Sequence, residues 1–116
     1  MAVLNVRKSL SIGQVTKLND SGPVTGTGTL QFSIPPHTSA ESDFSALFQV
    51  VGTLGSLSAD LEFSMDGGTT FNKLVTAALV AATPFKLQTP ILSGGITWQL
   101  NITAAPTSAD FYVAIN

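Results

Sequence analysis

Apolar side chains recur at every second position in several separate runs of this chain, the spacing of a β-strand with one face turned to a core. Leu30, Phe32 and Ile34 alternate with Thr29, Gln31 and Ser33 until Pro35 and Pro36, which offer a sheet no N–H, stop the run. Phe44, Ala46, Phe48 and Val50 alternate with Ser45, Leu47, Gln49 and Val51, which predicts a central strand apolar on both faces. Gly52 to Ser56 make the next turn. Ala59, Leu61, Phe63 and Met65 then face one way while Asp60, Glu62, Ser64 and Asp66 face the other, a half-buried antiparallel strand. Ile96, Trp98, Leu100 and Ile102 repeat the pattern against Thr97, Gln99, Asn101 and Thr103, and Phe111, Val113 and Ile115 complete a last strand.

Short strands separated by Gly-Gly, Pro-Pro and Thr-Pro predict a single all-β domain, an antiparallel β-sandwich or jelly roll. No long helical period competes, and no repeat of solenoid or propeller length is visible. Lys73 to Ala82 is Ala-rich enough for a short helix, but Val75, Thr76, Val80 and the following Thr83-Pro84 favour a strand running into a loop. The domain proper spans residues 26–116. Residues 1–25 differ: Val3, Leu4, Val6, Leu10, Ile12, Val15 and Leu18 are interrupted by Arg7, Lys8, Gly13 and Lys17, ahead of a Gly- and Thr-rich run. Two readings stand side by side, an extended arm that pairs with a neighbour's sheet edge and an ordinary first hairpin. In the first, Val3, Leu4, Val6, Arg7, Lys8 and Leu10 are the candidate interface.

Ser64-Met65-Asp66-Gly67-Gly68-Thr69-Thr70-Phe71 fits S-x-D-x-G-x-T-W/F throughout, with Phe in the aromatic place. It resembles the Asp box of sialidases and other β-proteins. Asp66 is suited to accept backbone amides, Gly68 to supply a positive φ, Ser64 and Thr70 to tie the turn to its strand, and Phe71 to staple it to the core. In that family the box is a folding device remote from catalysis, so a single copy implies a hairpin and not a sialidase. The wider block from Phe48 to Leu74, F-Q-V-V-G-T-L-G-S-L and then L-E-F-S-M-D-G-G-T-T-F-N-K-L, resembles small β-sandwich virion proteins of tailed bacteriophages, including capsid decoration or cement proteins. That resemblance implies a non-enzymatic structural protein, often a homotrimer, displayed on the outer surface of the head and clamping the major capsid protein. The alternative is a carbohydrate-binding or adhesin-type module of a phage tail or fibre, for which Trp98, Tyr112 and Phe85 are the aromatic candidates.

Composition narrows the chemistry. Hydrophobic residues make up 44% of the 116 residues and charged ones 10%, far from the charge-rich signature of disorder. A surface so poor in charge tends to associate. The net charge of -2 argues against a nucleic-acid partner, which needs a basic face to neutralise phosphates. Residues 1–40 hold three basic side chains against one acidic, and the remainder two against six, so front and body of neighbouring copies would attract. Cysteine is absent, which leaves stability to packing. No apolar leader follows Met1, so synthesis in the host cytoplasm is expected, and Leu74 to Ala82 is too short for a bilayer, which needs about 20 residues, so no membrane partner is expected either.

Reactive clusters are missing. His37 is the sole histidine, and although Asp43 lies near it in sequence, no G-x-S-x-G or oxyanion signal accompanies them. Asp60, Glu62 and Asp66 project from one strand, whereas glycosidases bring their two acids from opposite sides of a cleft. Counted as an EF-hand from Asp60, Met65 falls on the obligatory glycine and Phe71 on the terminal glutamate; only an irregular calcium site stays open. Gly26-Thr27-Gly28 lacks the third glycine of a dinucleotide loop, since Gln31 stands there. No catalytic residue and no cofactor is expected.

Overall fold

The computed structural model describes residues 2–11, 13–20, 22–34, 44–77, 85–89 and 96–115. They contain nine strands and, among the described residues, no helix. In chain order these are β1 (Lys8–Ser9), β2 (Val15–Lys17), β3 (Gly28–Ser33), β4 (Phe44–Thr53), β5 (Ser58–Ser64), β6 (Asn72–Ala77), β7 (Phe85–Thr89), β8 (Thr97–Ala104) and β9 (Ser108–Ile115). One sheet runs β1-β3-β8-β5-β6 and the other β2-β9-β4-β7. Apart from β1, which is parallel to β3, every neighbour is antiparallel. Among β2 to β9 only the β5–β6 hairpin stays within one sheet; every other connection crosses to the opposite layer. Eight strands wired in this way through two four-stranded sheets are a jelly roll, with β1 added at one edge.

The alternating positions meet between the sheets. In the first sheet Phe32, Trp98 and Phe63 stand opposite one another, and Leu30, Leu100 and Leu61 form the next row. In the second, Ala46, Phe48 and Val50 oppose Ile115, Val113 and Phe111. Phe32 bridges the layers, its ring 5.8 Å from that of Phe48. Phe32, Phe48, Phe111 and Trp98 are all fully buried, each contributing on the order of 2–3 kcal/mol of hydrophobic stabilisation before entropy is counted. Close packing of β4 on β9 fixes Gly52: its φ is 127°, and a Cβ there would lie 2.3 Å from the Ser108 carbonyl oxygen.

The predicted runs at 29–34, 44–51, 59–66, 96–103 and 111–115 correspond to β3, β4, β5, β8 and β9 within a residue or two, except that β9 starts three residues early. Lys73 to Ala82 supplies β6 as far as Ala77, and residues 78–82 lie outside the described residues. The first twenty-five residues are not a hairpin, because β1 and β2 belong to different sheets. Nor do they hang free. Leu10, Leu18 and Val24 join the core cluster, so the described residues of this segment are part of the sandwich.

Candidate functional site

The Asp-box turn joins β5 to β6. The Ser64 hydroxyl donates to Asp66 Oδ1 at 2.6 Å and accepts from the Gly68 N–H at 3.0 Å. Asp66 Oδ1 also accepts the N–H groups of Thr69 (3.1 Å) and Thr70 (2.8 Å). Gly67 and Gly68 take φ values of 80° and 99°. These bonds favour the charged carboxylate. With the Ser64 hydroxyl contributing most, they bring the Asp66 pKa down to about 2. Phe71 is half-buried, and the aromatic that packs on the core here is Phe63, 6.2 Å from Trp98. The arrangement closes a turn and leaves Asp66 committed to backbone amides.

The two acids of β5 itself, Asp60 and Glu62, are also occupied. On the outer face of the first sheet, Arg7 Nη2 donates to Gln31 Oε1 (3.3 Å) and Gln31 Nε2 to Gln99 Oε1 (3.3 Å). Gln99 Nε2 and Asn101 Nδ2 then donate to the two oxygens of Glu62 at 2.6 and 3.0 Å. The row exists because Gln31, Gln99 and Glu62 are in register across β3, β8 and β5. Asp60 accepts from the Thr76 hydroxyl at 3.0 Å and lies 3.7 Å from Lys73 Nζ. Among the described residues no group of three or more His, Cys, Asp or Glu side chains is placed to hold a metal ion. His37 and Asp43 lie outside the described residues.

The outer face of the second sheet is different. Val15, Ala114 and Leu47 line up across β2, β9 and β4, and Lys17, Tyr112 and Gln49 form the next row. Val15 is 70% exposed, Leu47 43% and Val51 46%. With Gln49, Tyr112 and Ala114, the first two line a shallow depression of about 220 Å³. The predicted second apolar face of β4 is present and nothing in the described chain covers it.

The six candidate interface residues of the first segment separate into three groups. Val3 and Val6 are exposed. Arg7 and Lys8 are held by their own chain, Arg7 by Gln31 and Lys8 by an ion pair with Asp20, which also accepts the Val6 N–H at 2.7 Å. Leu4 packs against the core and Leu10 belongs to it. Leu10 is therefore removed from the candidate surface, because burial inside one sandwich precludes contact with another copy while β1 stays in place. Tyr112, an aromatic candidate from the sequence, lies on this face; Val15, Leu47 and Val51 are not singled out as a surface by the sequence, whose one signal for them is the β4 run, apolar on both sides. Trp98, a candidate ligand platform, is fully buried. No family model, curated protein or solved structure matches this chain.

Proposed function

We propose that this chain is a non-enzymatic structural protein of a virus particle, a decoration or cement protein that self-associates as a trimer on the head and clamps subunits of the major capsid protein. The observation that carries the reading is the uncovered apolar face of β2-β9-β4, opposite an outer face whose polar groups are bonded to one another. Exposed apolar area on an otherwise complete sandwich marks a contact surface. The jelly-roll wiring is compatible with it, being common in viral capsid domains, but lectins share the fold, so the fold does not choose between them.

Native mass and co-sedimentation with heads test the proposal. The expected result is a trimer that pellets with heads, and a Leu47→Glu/Val51→Lys variant with an unchanged circular dichroism spectrum that does neither. A chain that stays monomeric when concentrated and never pellets with heads would remove the proposal. A carbohydrate-binding module is the second reading, favoured by the half-buried Tyr112 beside Gln49 in the depression. Glycan-array binding lost in Tyr112→Ala would establish it instead.

A further inference from the structure

Residues 2–10 lie along the open edge of β3 as a strap. Thr29 N–H donates to the Ala2 carbonyl and Leu4 N–H to the Thr29 carbonyl, both at 2.8 Å; farther along, Leu10 N–H donates to the Ser33 carbonyl at 2.9 Å. Between Leu4 and β1 the strap's backbone leaves the ladder and the Asn5 side chain takes its place. Asn5 Oδ1 accepts the Gln31 N–H at 2.9 Å and Asn5 Nδ2 donates to the Gln31 carbonyl at 3.0 Å. Asn5 therefore satisfies both backbone groups of one edge residue. The seat is shaped for this segment: Gly28 has φ 154°, and a Cβ there would meet Leu4 Cγ at 2.6 Å and the Ala2 carbonyl oxygen at 2.7 Å. Charge matches as well, since Asp20 at the rim holds both Lys8 and the Val6 N–H.

Three properties make this strap separable from the rest. Among the described residues it is the one parallel neighbour in either sheet, paired in regular register only at Lys8–Phe32 and Ser9–Ser33. It stands outside the eight-stranded wiring, so lifting it breaks no crossover. It is followed by an exposed turn at Gly13, with φ 84° and open space around it, held by the Gly13 N–H to the Ile115 carbonyl at 2.7 Å. Every bond it makes would be reproduced if the strap came from another molecule, the condition under which exchanging an identical element costs little.

We propose that residues 2–10 are an exchangeable strand, and that the partner for the β3 edge is the same segment of a second copy of this chain. This rests on the self-associating reading for the density of copies that drives exchange. Exchanged straps would link copies through β-augmentation, with Leu4 and Leu10 filling the neighbour's slot and Lys8 meeting the neighbour's Asp20.

The chain has no cysteine, so a Ser9→Cys/Ser33→Cys variant reports the strap's owner directly. Paired strands place these positions within disulfide reach, and both side chains lie off the core. Refolded dilute and then oxidised, the variant should give monomers with an internal 9–33 bond. Refolded concentrated, it should give disulfide-linked dimers and larger species whose peptide maps show the same bond between chains. Adding Gly13→Pro, which cannot adopt the positive φ and loses the N–H to Ile115, should raise the linked fraction severalfold. Internal bonds alone at every concentration in the unaltered hinge, or linkage mapped only between two position-9 thiols, would overturn the proposal. Exchange without co-sedimentation with heads would keep this inference and remove the proposed function; co-sedimentation with internal bonds alone would do the reverse.

Discussion

The outer faces of the two sheets solve the same problem in opposite ways. On β1-β3-β8-β5, the polar row from Arg7 through Gln31 and Gln99 to Glu62 gives each side chain a neighbour to bond, and Gln99 is only 6% exposed. On β2-β9-β4, Val15, Leu47 and Val51 stand in the open, with Lys17, Gln49 and Tyr112 in the row between them and Asp110 opposite Val51. Hydrogen bonding of the first kind is made within one chain, with Asn101 Oδ1 alone in the network buried without a partner among the described residues, whereas an apolar face lowers its free energy only by finding another surface. The first face is therefore a product of folding and the second a candidate for assembly. Substitutions should divide accordingly, with stability losses on one side and association losses on the other.

The largest effect comes from the core on which both faces rest. Trp98→Ala should cost about 3–5 kcal/mol in chemical denaturation, because Phe32 and Phe63 lose the ring between them. Trp98→Phe should cost clearly less, since Trp98 Nε1 is buried without a hydrogen-bond partner among the described residues and its removal deletes an unmet donor. Equal losses for the two variants would mean that the indole N–H is satisfied in solution. Next in size is the polar face. Glu62→Ala strips the acceptor from Gln99 and Asn101 together and should cost about 1–3 kcal/mol, leaving native mass unchanged. A change of mass without a change of stability would reverse the assignment of the two faces.

The Asp-box turn gives a smaller, pH-dependent effect. Asp66 is held below its ordinary pKa of 3.8, at about 2, so its contribution is fully present above pH 3.8 and is lost as pH falls through the lower value. The melting temperature of Asp66→Ala should lie below that of the parent chain at neutral pH. The gap should close between pH 3.8 and 2, and a gap constant through that window would show that the carboxylate does not carry the turn.

Legibility in the sequence followed the length of the alternation. Five of the longer strands could be read because a period of two needs several residues to show. β1 and β2 have two and three residues, and β7, five residues between Pro84 and Pro90, is too short to show the period. Jelly-roll wiring was open because strand order depends on which edges meet, and local pattern does not encode that. The Asp-box bonds were legible since all of their partners lie within four residues of one another. The strap was not: Asn5 bonds Gln31 and Leu18, 26 and 13 residues away, and nothing near Asn5 announces a side chain standing in for backbone. The sequence puts Leu10 on the candidate interface because an arm and an edge strand have the same apolar spacing until a core is available to receive them.

The smallest expected change in stability belongs to the face proposed for assembly. Leu47→Gln and Val51→Thr, each about half exposed in the single chain, should move stability by no more than about 0.5 kcal/mol, because the folded monomer gains little from side chains already in water. If these residues are covered in an assembly, the same substitutions should shift the sedimentation profile toward monomer and make the difference between parent and variant depend on protein concentration, since association stabilises the folded state by mass action. A concentration-independent gap would instead place Leu47 and Val51 in contacts within one chain. No gap together with an unchanged profile would leave the apolar face of β4 without a role in association.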